Sequence, residues 1–372
     1  MAKKTLLTID KVHRKVKKGF ITIDNTYHKI KKAYITIAGV YHPCWSEGKL
    51  EYYGTRSLSE GRKSCGTTTI GGYALFAGGD GASAYTTVDS FDIFLTRNAA
   101  PDLSVGRAYF GATSVGDYAL IGGGKDSLHV TAAVDAYDRS LTRTNPTELS
   151  QARQYVQATT IGDYALFAGG DWGNSSGRLR VVDAYDTSLT RTTPTTLANG
   201  TTYHAGTTVG DYALFGGGWY GPEVNAYDKS LTRTNPANLT VEKRMWLAAT
   251  TVGNYALFAG GAANEDLTGG HPQVDAYNTS LTKTSATALS VGRSQIASTT
   301  VGNYALFCGG YDGYSTSKVV DAYDVALTRT LPRAITKGVY GLAAATVGSY
   351  ALVGGGSIPL AGYSDVVDVY TV

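Results

Sequence analysis

The chain has 372 residues, of which 17% are charged, with 46 Gly against 9 Pro. That length and low charge exclude a small stapled domain and a largely disordered chain, and no run of apolar residues reaches the roughly 18 that a transmembrane helix needs. The net charge of +3 hides a division: residues 1–45 carry ten Lys and Arg against Asp10 and Asp24, a balance of +8, which leaves −5 for the remainder. A basic arm and a mildly acidic body should meet different partners.

Residues 5–45 repeat with a period of 14, as "LLTIDKVHRKVKKGF", "ITIDNTYHKIKKAY" and "ITIAGVYHPCW". Each unit reads as strand, turn and basic strand. Three such units bury little surface, so the arm (1–45) is expected to pack on a partner or on copies of itself as a homo-oligomer. Lys15, Lys17, Lys18, Lys29, Lys31 and Lys32 invite a nucleic-acid reading. Their 14-residue recurrence between "TI" strands fits one polar face of a β-module better, so nucleic acid is not the expected partner. No apolar core follows the early lysines and no small-residue cleavage site appears, so no signal peptide is expected.

From residue 46 onward a second, longer unit appears seven times. Its anchor tyrosines are Tyr73, Tyr118, Tyr164, Tyr212, Tyr255, Tyr304 and Tyr350, spaced by 43 to 49 residues. A repeat of this length, rich in β-branched and aromatic residues, predicts one four-stranded propeller blade per copy. The first strand runs through "AATTVG", whose small residues suit a crowded centre. Gly-Asp or Gly-Asn turns lead into "YALFAGG". The third strand is the alternating "VVDAYD", and the fourth is the polar "LTRT", which discourages edge pairing.

From the first Val of "VDAYD" to the next anchor Tyr the distance is 30 residues in five cases and 31 in one. From the last Gly of "GG" to that Val it ranges from 6 to 13. Length change is therefore concentrated in one loop, as expected of a scaffold that carries a binding site. After the seventh "VDVY" the outer strand is missing, and "LEYYGTRSLSEGR" (Leu50 to Arg62) aligns without gaps to "LTRNAAPDLSVGR" (Leu95 to Arg107). The N-terminal segment is thus predicted to complete the last blade and remove the free edge.

These features resemble the kelch repeat: the Gly-Gly ending the second strand, the Tyr of "VDAYD" (Tyr137, Tyr185, Tyr227, Tyr277, Tyr323) and an Arg before the first strand (Arg62, Arg107, Arg153, Arg244, Arg293). The likeness covers about residues 46–372. It departs from the family in carrying "LTRT" where the outer strand usually has Trp. The Gly-His and Trp-Asp marks of the other common propeller repeat are absent. The resemblance implies an all-β fold, a seven-bladed kelch-like β-propeller closed by an N-terminal outer strand and preceded by a small β-rich basic arm. The arm itself resembles short modules near the N-termini of tailed-phage and prophage structural proteins.

In kelch propellers ligands often bind the face made by the loops after "GG" and by the residues after the Arg. Here those places differ between copies: Lys63-Ser64, Ala108-Tyr109, Gln154-Tyr155, Thr202-Tyr203, Met245-Trp246, Ser294-Gln295 and Val339-Tyr340. Trp172, Trp219 and Trp246 fall in these loops in consecutive copies, beside Tyr155, Tyr203, His204 and Tyr220; Tyr109, Tyr311 and Tyr340 complete the candidate ligand contacts. Aromatic side chains supply flat apolar area with a polar edge at low entropic cost. The alternative is that they plug the channel or cover blade ends.

The repeated Tyr anchors and the Arg before each first strand read as frame. The Asp of "VDAYD" (Asp135, Asp183, Asp321) and the Arg of "LTRT" (Arg143, Arg191, Arg329) are expected to pair across strands or face water, as exposed pairs contributing about 0–1 kcal/mol each. The loop acids Asp80, Asp126, Asp171, Glu223, Glu265, Asp266 and Asp312 read as solvated rather than as a calcium site or a hydrolytic pair. His129, His204 and His271 lie in different copies, and Cys44, Cys65 and Cys308 follow no metal or disulfide spacing, so no catalytic set, metal or cofactor is predicted. Cys308 replaces the Ala of "FAGG" and reads as a buried small hydrophobe.

The expected function is therefore that of a non-enzymatic phage virion or tail-associated protein, made in the host cytoplasm. The arm would join virion or tail structural proteins, and the propeller loops would recognise a bacterial surface glycan or protein. A decoration protein without a ligand of its own and a polysaccharide-degrading enzyme are the alternatives.

Overall fold

A computed structural model describes residues 48–173 and 177–372 in full and, in backbone only, the strands Phe20–Ile23, Thr26–Lys29, Lys32–Ile37 and Val40–Ser46. The chain divides into two compact units, residues 1–49 and 50–372. In the first unit, Phe20–Ile23 pairs with Thr26–Lys29 and Lys32–Ile37 with Val40–Ser46, giving two antiparallel hairpins. The first predicted arm unit and the side chains of the arm residues lie outside the described residues.

The second unit is a seven-bladed β-propeller made of seven four-stranded antiparallel sheets. Blade 2 shows the pattern, with strands Gly111–Val115, Tyr118–Gly122, Val134–Asp138 and Arg143–Thr144 in sequence order. The first strands of successive blades adjoin, and that of blade 7 adjoins that of blade 1, so the sheets close around a central axis. The turn Gly116-Asp117 carries positive φ at the Gly, its first central position, as in a type II′ hairpin. At the other hairpin, Asp138 accepts hydrogen bonds from the backbone N–H of Ser140 and Thr142, both at 2.8 Å, and Leu141 follows at φ +62.

Blade 7 consists of Ala343–Val347, Tyr350–Gly354 and Val366–Thr371, and its outer strand is Glu51–Ser57 from the other end of the chain. Register runs from Val366 opposite Ser57 to Thr371 opposite Glu51. The aligned N-terminal segment closes the ring as its sequence predicts, and the last sheet has four strands like the others.

Three sets of hydrogen bonds join blade to blade. The second Gly of every "GG" donates its N–H to the carbonyl of the residue at the Arg position in the next blade, at 2.8–3.0 Å, from Gly79 to Arg107 around to Gly356 to Arg62. These glycines sit at φ +100 to +117, and a Cβ on Gly124 would stand 2.7 Å from the Ala108 carbonyl oxygen. Nearer the axis, the second Thr of "TT" donates its hydroxyl to the carbonyl of its counterpart one blade back. Thr69 bonds Thr346, Thr346 bonds Thr300, and Thr300, Thr251, Thr208 and Thr160 continue the series to Ser114. Each of the hydroxyls of Thr160, Thr208, Thr251, Thr300 and Thr346 also meets that of the first Thr of the blade before. Further out, the "VDAYD" tyrosines donate to carbonyls of the preceding blade, as Tyr137 does to Pro101 at 2.8 Å. The "TT" pair is therefore an inter-blade connector as well as a small-residue strand.

The Asp of the third strand pairs across strands with the outer-strand Arg as expected, but it is not exposed. Asp135, Asp183 and Asp321 are fully buried, because the Arg preceding the first strand turns inward to meet them. Arg62–Asp89, Arg107–Asp135, Arg153–Asp183, Arg244–Asp275 and Arg293–Asp321 form buried ion pairs at 2.5–2.8 Å. In each of these five blades the guanidinium also donates to a second-strand carbonyl, Ile121 for Arg107 and Phe167 for Arg153. The outer-strand Arg143 adds a second cation to Asp135 at 2.7 Å. Burial alone would raise the Asp135 carboxyl, but Arg107 and Arg143 outweigh it and hold it below the ordinary carboxylate range.

Blade 4 carries Thr201 in place of the Arg, and its third strand carries Asn225 in place of the Asp. The pair is lost as a pair, which spares the blade a lone buried charge. In blade 7, Val339 stands at the Arg position while Asp368 remains; it accepts from the Tyr52 hydroxyl at 2.9 Å and from the Thr336 hydroxyl at 2.6 Å.

Two outcomes test this frame. Arg107→Thr should cost about 3–5 kcal/mol by leaving Asp135 buried and uncompensated, and Arg107→Thr with Asp135→Asn, which copies blade 4, should recover much of that loss in chemical denaturation. Thr208→Val should cost about 0.5–1.5 kcal/mol, read as a lowered Tm with an unchanged far-ultraviolet circular dichroism spectrum.

Candidate functional site

One position after the Arg, the backbone forms an isolated bridge to the loop that follows "GG": Lys63 with Asp80, Ala108 with Lys125, Gln154 with Asp171, Met245 with Ala262, Ser294 with Tyr311 and Tyr340 with Ser357. The two variable loop sets are thus joined on one face. Two positions after the Arg, Ser64, Tyr109, Tyr155, Tyr203, Trp246, Gln295 and Gly341 all lie in the left-handed region, at φ +49 to +64. Six of these seven are not glycine, a conformation that costs of order 1 kcal/mol or more and persists where surroundings impose it. Their backbones link around the axis: Ser64 N–H donates to Gly341, Tyr155 to Tyr109, Trp246 to Tyr203, Gln295 to Trp246 and Gly341 to Gln295, at 2.6–3.1 Å.

This ring brings together four of the predicted aromatics. Tyr109 and Tyr155 have ring centroids 4.8 Å apart, Tyr155 and Tyr203 4.6 Å, and Tyr203 stacks on Trp246 at 3.9 Å. All four are half-buried against one another at the mouth of the channel. Burial pushes the phenol of Tyr203 up to about 12 and those of Tyr109 and Tyr155 higher still, so these hydroxyls are neutral donors. The Tyr109 hydroxyl donates to Asp80 at 3.1 Å, and Lys63 lies 3.7 Å from the same carboxylate.

Inside the mouth is a cavity of about 200 Å3, lined by all seven ring residues, by the residue that follows each of them, and by Gln157. The second layer is Cys65, Phe110, Val156, His204, Leu247, Ile296 and Leu342. His204 is only 2% exposed, so it belongs to this inner wall and not to the outer face where the aromatic loops were expected to place it. Burial depresses its imidazole to about 3, with the nearby Ala168 carbonyl opposing only in part. Neither imidazole nitrogen, nor the buried indole N–H of Trp246, makes a well-formed hydrogen bond among the described residues.

Other predicted contacts form two clusters away from the axis. Arg178 of the blade 3 loop lies over the Trp219 ring at 3.9 Å and the Tyr220 ring at 5.2 Å, both in blade 4, and reaches Glu265 of blade 5 at 3.5 Å. Tyr220 is 59% exposed, and Trp172, on the loop of Arg178, is 50% exposed. Tyr311 and Tyr340 sit 5.9 Å apart, with Lys63 5.9 Å from the Tyr340 ring. The loops also present Leu128, Tyr314 and Leu360 at their tips, at 78%, 94% and 109% exposure, which sequence reading passed over. The signal was available: each lies in the variable loop after "GG", as Trp172 and Trp219 do.

The loop acids are more engaged than expected. Asp171 is buried, accepting from Gln154 at 2.9 Å, Thr202 at 3.1 Å and the Gly173 N–H at 2.8 Å. Asp126 and Asp312 cap their own loops through backbone N–H groups. Among the described residues no group of three or more His, Cys, Asp or Glu could hold a metal ion. Cys65 and Cys308 are buried, and burial pushes the Cys308 thiol up to about 12.

The class of protein defined here is the seven-bladed β-propeller with a variable loop face. No protein-family model matches the chain, and no curated protein does. Among solved structures, that of YjhT is similar at a TM-score of 0.58 and 15% identity, covering 75% of this chain and 99% of the YjhT chain. At that identity the likeness concerns the fold.

The state of His204 sets a pH dependence. Its ordinary value is 6.5 and its folded value about 3, so below pH 6.5 the unfolded chain takes up a proton that the folded one does not. Stability from this group is complete above that pH and declines as pH falls toward the folded value. His204→Leu, matching Leu247 and Leu342 at the same place in blades 5 and 7, should flatten the decline in Tm between pH 6.5 and 4 while leaving a steeper fall in stronger acid, where Asp89 and Asp135 protonate.

Proposed function

We propose that this propeller is a non-enzymatic recognition module of kelch type, carried by its basic N-terminal arm on a phage virion or tail, and that its loop face binds a bacterial surface glycan. The observation that carries this reading is the aromatic array: side chains from four consecutive blades converge at the channel mouth, and Trp172, Trp219 and Tyr220 form a second group further out on the loops, all at positions where the copies differ. The kelch assignment is supported by the Gly-Gly, Tyr and Arg positions, each of which joins strands or blades through hydrogen bonds. The virion assignment is supported by the arm's repeat and its charge of opposite sign to the body. Weak binding at one propeller would be multiplied by display of many copies on a particle.

The loop acids favour binding over hydrolysis. Glycoside cleavage needs two carboxylates facing one substrate bond. Here Asp80, Asp126, Asp171, Glu223, Glu265, Asp266 and Asp312 each bond a group of their own loop or of a neighbouring one.

Fluorescently labelled full-length protein should bind a subset of bacterial strains and their purified polysaccharides. Trp172→Ala with Trp219→Ala, and separately Trp246→Ala, should weaken that binding by about tenfold or more at unchanged fold, the loss typical of an aromatic anchor. Binding that survives both sets would remove the aromatic face from the account. Uniform absence of binding by the folded protein would leave a decoration role.

A further inference from the structure

The channel mouth is asymmetric. Of the seven ring positions, blades 2 to 5 supply Tyr109, Tyr155, Tyr203 and Trp246, whereas blades 6, 7 and 1 supply Gln295, Gly341 and Ser64. Blade 7 adjoins blade 1, so the three small or polar residues form one continuous arc facing an aromatic wall. The cavity of about 200 Å3 is lined from all seven blades. Among the described residues its lining contains no Asp, Glu, Lys or Arg, and burial keeps His204 uncharged. A charged ligand group would lose its hydration there without a counter-charge.

We propose that this cavity is a subsite for a single neutral pyranose residue, the terminal sugar of a glycan, which enters the channel mouth end-on. The proposal rests on the glycan reading above and narrows it. The volume is below the roughly 300–1,000 Å3 of sites that enclose drug-sized ligands, so it accommodates one ring and not a chain segment. Aromatic faces suit the apolar face of a pyranose. The imidazole of His204 and the indole N–H of Trp246 are enclosed by their neighbours and do not face the cavity. Gln295 and Ser64 supply polar groups for the sugar hydroxyls on the arc opposite the aromatic wall.

The repeat provides its own blocking substitutions. Tyr already occupies this left-handed position in blades 2, 3 and 4, so Ser64→Tyr and Gln295→Tyr place a compatible side chain in the open arc. The experiment measures binding of the full chain to a recognised polysaccharide, competed by methyl glucoside, galactoside, mannoside and N-acetylglucosaminide and by glucuronic acid, with tryptophan fluorescence as a direct readout. One or more neutral glycosides should compete and alter the fluorescence, glucuronic acid should not, and the double Tyr variant should weaken glycoside binding at least tenfold. If the double variant fails to fold, Ser64→Tyr or Gln295→Tyr alone should produce the same loss. Polysaccharide binding that is indifferent to every methyl glycoside and to these variants would overturn the subsite while leaving recognition by the outer loops intact. Competition by glucuronic acid alone would also overturn it. Absence of binding to any polysaccharide or glycoside would overturn the subsite and the glycan reading together.

Discussion

The structure depends on seven backbone hydrogen bonds, each from the second Gly of "GG" to the carbonyl at the Arg position of the next blade. A propeller blade cannot bury both faces alone, so its stability lies in what it shares with its neighbours. This bond fixes where the end of one second strand meets the start of the next blade. It requires a left-handed residue without a Cβ on the donor side. It also sets the direction of the chain after the acceptor, where the next two residues rise onto the loop face and the second of them turns left-handed. The bond persists in blades 4 and 7, where Thr201 and Val339 replace Arg. Blade placement is thus a backbone property, and the face positions downstream are free to vary in side chain.

The Arg adds a second constraint within the blade. Its guanidinium ties the segment before the first strand to a carbonyl of the second strand and to the Asp of the third. Such a pair is costly to break from one side only. Blade 4 shows the consequence in its sequence, for Thr201 occurs with Asn225. Blade 7 solves the same problem with neutral donors, Tyr52 and Thr336, and Tyr52 arrives on the closing strand from the other end of the chain. Closure of the ring and satisfaction of Asp368 are therefore one event.

Frame and face divide the chemistry between them. The frame uses Gly, Thr, Arg, Asp and Tyr in the same places in nearly every blade. The face uses residues that differ from blade to blade, and this breaks the sevenfold symmetry of the channel mouth into an aromatic arc and an open one. A symmetric ring of seven tyrosines would close the axis. Three consecutive small or polar residues leave room there, and the left-handed backbone is the same beneath both arcs.

The sequence by itself determined the blade number, the strand order, the loop that varies and the closing segment, because each is carried by spacing and by local turn chemistry repeated seven times. It also held a signal that went unread: Arg and Asp vanish together in blade 4, which marks them as partners. Tertiary structure alone decided the rest. Only the closed ring shows that "TT" hydroxyls bridge blades, since the partner lies a whole repeat away. Asp135 reads as an outward residue of an alternating strand, and only the inward turn of Arg107 makes it buried. Trp172 follows "GG" and Trp246 follows the Arg, and only the closed ring shows that the first loop set is exposed and the second lines the axis. That difference follows from distance to the channel, which is set by how the seven blades pack around the axis.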